Sequence, residues 1–319
     1  MKKFIQKTII LAITLLMINI NYSYAQEEKS LTLVLDWTPN TNHTGIIVAQ
    51  KLGYYKQKGL NINVVQPSKN SAELMVARGW AEFAISSEGS LLQAVKSGVP
   101  IVSIAAIIAH DTSGFYALAE KNIKTPKDFE GKTYGSWGGQ LELATVKAAM
   151  EKYNADFNKL KIVTIGSANF FTAKNIDFVW GFAGWTGVEA DTIGVKVNFI
   201  PIRETLDRDG YTPIIITNKN YLAENKDVVQ KFMEATRDGY LYAIDHPKEA
   251  AKLLLDTYPE LNRNLTINSQ IYLSKVYKDP KYPWGHQEAA VWQAYIDWMV
   301  KHGVLPKTMI ANQVFVNIL

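Results

Sequence analysis

No cysteine occurs anywhere in the 319 residues. Disulfides, thiolate metal sites, iron–sulfur clusters, cysteine nucleophiles and lipid anchors attached through Cys are therefore excluded. Histidine is scarce as well. His43, His110, His246, His286 and His302 include no pair at the i, i+4 spacing that sets two ligands on one helical face. No metal or other cofactor is expected. There is no G-x-S-x-G elbow, no G-x-G-x-x-G fingerprint and no glycine loop ending in the lysine of a Walker motif. An excess of positive charge is missing too. Lys2, Lys3 and Lys7 stand in the first 25 residues with no acid among them, and removing them from the formal +4 leaves +1. Such a balance cannot neutralise nucleic-acid phosphates, so no nucleic-acid partner is expected.

Long apolar runs are also lacking. The run from Ile9 to Ile18, broken by Thr14, is short for the roughly 20 residues a spanning helix needs. The three lysines before and beside it, and Ser23-Tyr24-Ala25 after it, read instead as a secretory signal peptide over residues 1–25. The mature chain would then begin at Gln26 and hold 294 of the 319 residues. With no Cys at the cleavage point it would not be lipidated, and a soluble periplasmic location is expected.

What is present is ordinary for a packed protein: 47% hydrophobic and 20% charged residues. The length suits two domains. Apolar runs alternate with helical patterns. Strands are expected at Leu31–Leu35, Asn61–Val65, Phe83–Ile85 and Pro100–Ile108. Helices are expected over Gly45–Gln57, from Asn70 to Arg78, and over Ser87–Ser97. The pattern restarts with strands at Lys132–Gly135, Lys161–Thr164, Phe178–Trp180 and Lys196–Pro201 and a helix over Gln140–Tyr153. Pro213–Thr217 is a further strand, and a helical tail follows. The expected fold class is α/β, with mostly parallel sheets in two lobes and a central cleft. Gly114–Ala119 would enter the second lobe and Tyr211–Thr217 return, so residues 26–116 with 212–319 form one lobe and 117–211 the other. The cleft should lie at the carboxyl ends of the strands.

Four segments at strand ends could face that cleft. Asp36-Trp37-Thr38-Pro39-Asn40-Thr41-Asn42-His43 offers a carboxylate, an indole, amides and an imidazole. Trp37 could stack on a heteroaromatic ring and Asp36 accept from ring or exocyclic amines, with Asn42 and His43 beside them. Pro39 and the asparagines suit a turn equally well. Ser86-Ser87-Glu88 opens a helix, where Ser87 could serve the ligand or simply cap. Gly135-Ser136-Trp137-Gly138-Gly139 could lend backbone N–H groups or an indole, or be a tight turn. Gly184-Trp185-Thr186-Gly187-Val188-Glu189 places a ring and an acid four residues apart, on one face if a helix starts there. Trp180, just upstream, reads as core.

The stretches Leu35–Gly45, Ala49–Leu60, Ile165–Thr172 and Phe182–Ala190 together resemble the NMT1/THI5-like family, most of all its bacterial transport branch. The resemblance runs over nearly the whole mature chain. It implies a type II-like periplasmic-binding-protein fold with two hinge crossovers. It implies a pyrimidine thiamin precursor as ligand, formylaminopyrimidine or hydroxymethylpyrimidine, with another small molecule such as riboflavin or a sulfonate, which related folds carry, as the alternative. It also implies delivery to an ABC transporter permease, through which alone the chain, as a monomer, would meet the membrane. The positions matching Asp36 and Trp37 lie at the ligand in that family, and the other three segments face its cleft. The family also holds fungal pyrimidine synthases, whose lysine and histidine fall at Ser86 and Ser90 here, and whose cysteine-rich run is absent. No catalysis is therefore expected. Between Phe171 and Asp177 this chain has only five residues, where its transport relatives carry a longer helix end.

Overall fold

The structure, a computed structural model, describes residues 28–67, 70–166 and 168–319. The signal peptide expected over residues 1–25 lies outside the described residues. Ten strands are described: β1 (Lys29–Val34), β2 (Leu60–Val65), β3 (Phe83–Ser86), β4 (Ile101–Ala106), β5 (Ser113–Leu118), β6 (Thr133–Ser136), β7 (Lys161–Thr164), β8 (Phe178–Phe182), β9 (Val197–Pro201) and β10 (Ile214–Asn218). They form two sheets of five, in the orders β2-β1-β3-β10-β4 and β7-β6-β8-β5-β9.

Each sheet has one reversed strand. β10 runs antiparallel between β3 and β4, and β5 antiparallel between β8 and β9. The remaining recorded pairs, β1 with β2 and β3 and β6 with β7 and β8, are parallel. The reversed strands are the ones the chain enters on passing between sheets, once after β4 and once before β10. The two crossings expected from the sequence are thus present. The strand Ser113–Leu118 belongs to the second sheet.

Alternation along β1 explains why the tail packs where it does. Successive strand side chains point to opposite faces. Leu31, Leu33 and Leu35 join a core with Phe232, Met233 and Tyr240, whereas Val34 joins one with Trp292, Ile296 and Met299. The helices Lys226–Asp245 and Ala289–Lys301 therefore cover opposite faces of the first sheet. Each fully buried large side chain of this kind contributes roughly 1.5–3 kcal/mol. The second sheet is held by Phe115, Phe129 and Phe178, the last two stacked with centroids 4.0 Å apart, against Val146 and Met150 of the helix Gln140–Lys152.

Two helix expectations are corrected. The single helix expected over 45–57 is two, Thr44–Lys51 and Tyr54–Gln57, because Gly53 between them takes φ 77°, which glycine adopts at no steric cost. The cap of Ala72–Ala77 is Ser71, whose side chain accepts from the Leu74 N–H, rather than Asn70.

Candidate functional site

The first ligand loop leaves the end of β1. Asn40 caps a short turn at Thr41–His43, and the Tyr240 hydroxyl donates to the Asn42 carbonyl at 2.6 Å. The Asn40 N–H donates to His43 Nδ1 at 3.2 Å. The ring proton therefore sits on Nε2, which donates to Asp36 Oδ1 at 2.8 Å. His43 is fully buried, while the Asp36 side chain is 31% exposed. Trp37 is 44% exposed. The loop thus presents an oriented carboxylate and a free indole face. His43, expected among the ligand contacts, stands behind Asp36 and fixes it.

The second segment turns inward. The Ser86 hydroxyl donates to the Glu73 carboxylate. Ser87 caps the helix Glu88–Lys96, accepting from the Ser90 N–H and donating to the Ser90 hydroxyl. Glu88 is 1% exposed and accepts from the Tyr211 N–H at 2.9 Å, on the second crossing. Burial pushes its carboxyl well above the usual carboxylate range. Ser86, Ser87 and one Glu88 oxygen thus have hydrogen-bond partners within the protein, while Glu88 Oε1 is buried with none.

The third segment is also hydrogen-bonded within the protein. Its N–H groups, expected as ligand donors, already have an acceptor. The Glu142 carboxylate takes the N–H groups of Trp137, Gly138 and Gly139 and the hydroxyls of Tyr134 and Ser136, at 2.7–3.2 Å. Gly135 is a packing residue, since a Cβ there would lie 2.8–3.0 Å from Ile165, Ile176 and Val179. The Trp137 ring remains available. It is 42% exposed and backed by Trp180 at 5.2 Å and Phe182 at 6.2 Å, both stacked. Trp180, read as core, is half-buried: it packs against the Phe115–Phe178 core and carries the Trp137 ring on its other side.

The fourth segment is a wide turn, Ala183–Gly187, followed by the helix Val188–Ile193. Trp185 therefore precedes the helix that carries Glu189, and the two do not share one regular helical face. Glu189 accepts from Asn169 Nδ2 at 2.6 Å, tying this turn to the Ile165–Thr172 stretch. Gly184 rests on Leu273, where a Cβ would lie 2.6 Å from the side chain. The Ser269 hydroxyl donates to the Gly184 carbonyl and lies 2.5 Å from the Thr41 hydroxyl.

Ser269 thereby joins the first-lobe loop to the second-lobe turn. Elsewhere, a Cβ on Gly89 would lie 2.3 Å from the Leu141 side chain, so the helix Glu88–Lys96 also meets the helix Gln140–Lys152. Sequence reasoning missed Glu73, Glu142 and Ser269. Only Glu142 carried a signal: an acid at the third helical position, where a capping box puts one.

Comparison with known proteins fits this architecture. The periplasmic aliphatic sulphonate binding protein of Escherichia coli superposes with a TM-score of 0.69 at 15% identity, over 89% of this chain and 91% of that one. The fold is that of the periplasmic binding proteins. The NMT1/THI5-like family model matches residues 40–250, and the chain belongs to that family. A formylaminopyrimidine-binding protein of Halalkalibacterium halodurans is 26% identical, covering 100% of this chain and 99% of the relative. A 4-amino-5-hydroxymethyl-2-methylpyrimidine phosphate synthase of Legionella pneumophila is 26% identical over 75% of this chain and 77% of its own length.

Proposed function

We propose that this chain is the periplasmic solute-binding protein of an ABC importer and that it binds a pyrimidine thiamin precursor, formylaminopyrimidine or hydroxymethylpyrimidine. The observation that carries the reading is the Asp36–Trp37 pair, a carboxylate held by buried His43 beside an exposed indole. A 4-aminopyrimidine needs that combination. Its exocyclic amine donates, and its flat ring stacks. A hydrogen bond to a charged group contributes about 1.5–3 kcal/mol, and stacking of a base on an aromatic side chain about 1–3 kcal/mol. Trp137, Trp185 and Glu189 are the second-lobe candidates to close on the opposite side. The relative named for formylaminopyrimidine, which aligns over the full chain, supports the same ligand.

Function on this reading is capture and presentation, with no bond made or broken. Ligand bridging the lobes favours the closed form by its differential affinity for that form. The permease then receives the closed protein. The synthase relative raises an enzymatic alternative, which Ser86 disfavours. It stands where the resemblance places the fungal lysine, and its hydroxyl is engaged by Glu73. Titration calorimetry against formylaminopyrimidine, hydroxymethylpyrimidine, thiamin and riboflavin tests the proposal. Saturable binding of one of the first two is expected, and no binding by any of the four would refute it.

A further inference from the structure

Glu88, at the start of the first-lobe helix Glu88–Lys96, sits where both crossings pass. It is 1% exposed. The Tyr211 N–H donates to Oε2 at 2.9 Å, and Oε1 is buried with no hydrogen-bond partner among the described residues. The charged and titratable groups that face it come from three elements. They are Asp111 on the first crossing, Arg208, Asp209 and Tyr211 on the second, and Tyr295 of the tail helix Ala289–Lys301. Arg208 is the one cation of this set, and it acts on Glu88 only across space. Its guanidinium lies instead over the Tyr295 and Trp298 rings, at 4.3 and 4.5 Å. A carboxyl with one oxygen bare of donors is costly to bury in its charged form, so the arrangement suits the neutral acid.

Two contacts cover this carboxyl, and both depend on how the lobes sit. Its neighbour Gly89 meets Leu141 of the second-lobe helix Gln140–Lys152. Gly210, on the second crossing, presses on it so closely that a Cβ there would lie 2.5 Å from Oε2. We propose that Glu88 couples closure of the lobes to the uptake of one proton, so that the protein closes more readily as pH falls. Parting the lobes withdraws Leu141, turns the crossing and admits water to the carboxyl, which ionises. Closing returns it, protonated, to its place under Gly210. One proton per closure makes the closed-to-open ratio fall by up to about tenfold for each pH unit above the ordinary glutamate range. Below that range the acid is neutral in both forms and the dependence vanishes. The proposal rests on the closure in the proposed function, but not on the ligand named there.

Small-angle scattering of the unliganded protein between pH 5 and pH 8, at constant ionic strength, tests it. The wild-type radius of gyration should rise with pH. In Glu88→Gln, which keeps an oxygen for the Tyr211 N–H and cannot ionise, most of that rise should be lost. His110 also titrates at the hinge, and it is common to both proteins, so their difference isolates Glu88. Should Glu88→Gln not fold, Glu88→Met, equally uncharged, is read in its place. A wild-type radius that does not rise overturns the proposal whatever the variants do. A rise of equal size in the uncharged variant overturns it too, as does a rise lost only in Asp111→Asn. Calorimetry with formylaminopyrimidine in phosphate and in Tris at pH 7.5 adds a second reading. Wild-type binding should take up a proton that Glu88→Gln does not, and equal uptake by both overturns the proposal. Absence of binding would count against the proposed function alone, and the scattering would still decide the part played by Glu88.

Discussion

His43 Nε2 lies 2.8 Å from Asp36 Oδ1, and the pair divides the first loop into a buried support and an exposed contact. Asp36→Ala should weaken ligand binding at least tenfold, equivalent to about 1.4 kcal/mol, and should also lower the melting temperature, because the Nε2–H of buried His43 loses its acceptor at a cost of about 1–3 kcal/mol. His43→Ala should weaken binding through Asp36 and also destabilise the fold by about 1–3 kcal/mol, because the Asn40 N–H loses its acceptor. Calorimetry on the double variant checks the coupling. Its binding loss should fall well short of the sum of the two single losses, as expected for residues acting as one unit. Additive losses would separate His43 from the site.

The two exposed tryptophans should behave differently. Trp137 lies on Trp180 and Phe182, so Trp137→Ala should cost stability by about 0.5–1.5 kcal/mol per lost ring pair. Trp37, at 44% exposure, has no such ring pair among the described residues to lose. Trp37→Ala should leave the melting temperature nearly unchanged while abolishing most binding. Thermal denaturation with parallel calorimetry distinguishes the cases, and unaltered affinity in Trp37→Ala would remove the ring-stacking role.

Ser269 should act on closure without touching ligand. It lies between Thr41 and Gly184, so Ser269→Ala removes a polar bridge between the lobes. Small-angle scattering should report a larger radius of gyration for the variant at the same ligand saturation, and affinity should fall several-fold. Identical scattering curves for the two proteins would deny the bridge a part in closure.

The crossings carry a pH-sensitive clasp. His110 Nδ1 lies 2.6 Å from Asp209, and Nε2 lies 2.9 Å from Asp279. The Asp209 hydrogen bond, chiefly, raises the His110 pKa, against partial burial and Arg203. Burial raises Asp209, but the hydrogen bonds from His110 and from the Asp111 and Gly210 N–H groups outweigh it and leave that carboxyl lowered. A raised histidine contributes fully below its ordinary pKa of about 6.5 and loses that contribution as pH rises through the higher folded value. A lowered carboxylate contributes above its ordinary range and fails as pH falls through the depressed value. The stability gap between wild type and His110→Asn should therefore be widest near pH 6 and shrink toward pH 9. Melting curves that keep a constant gap across that interval would contradict the assignment.

The parts legible in the sequence were those set by local pattern. Leu31, Leu33 and Leu35 announced a strand by alternation, and Asp36-Trp37 after it announced a strand-end loop. Ser87 could be read as a cap with equal ease, and it is one. The glycine loop was recognisable as a nest from its composition, but what fills it depends on a side chain one helical turn further on. Ser269 was beyond reach, because it meets Thr41 across 228 residues of chain and no periodicity links them. Gly53 shows the opposite failure: the apolar positions of 45–57 fit one helix, and a single positive φ breaks it in two.

The most direct test of the account is a crystal structure of the protein with formylaminopyrimidine. The pyrimidine ring should lie flat on Trp37 between the lobes, with its exocyclic amine 2.7–3.2 Å from an Asp36 carboxylate oxygen, the range of an N–H···O bond, and with Glu142 still seated in its loop. A ligand bound away from Trp37, or one whose amine is held by other groups while Asp36 faces solvent, would contradict it.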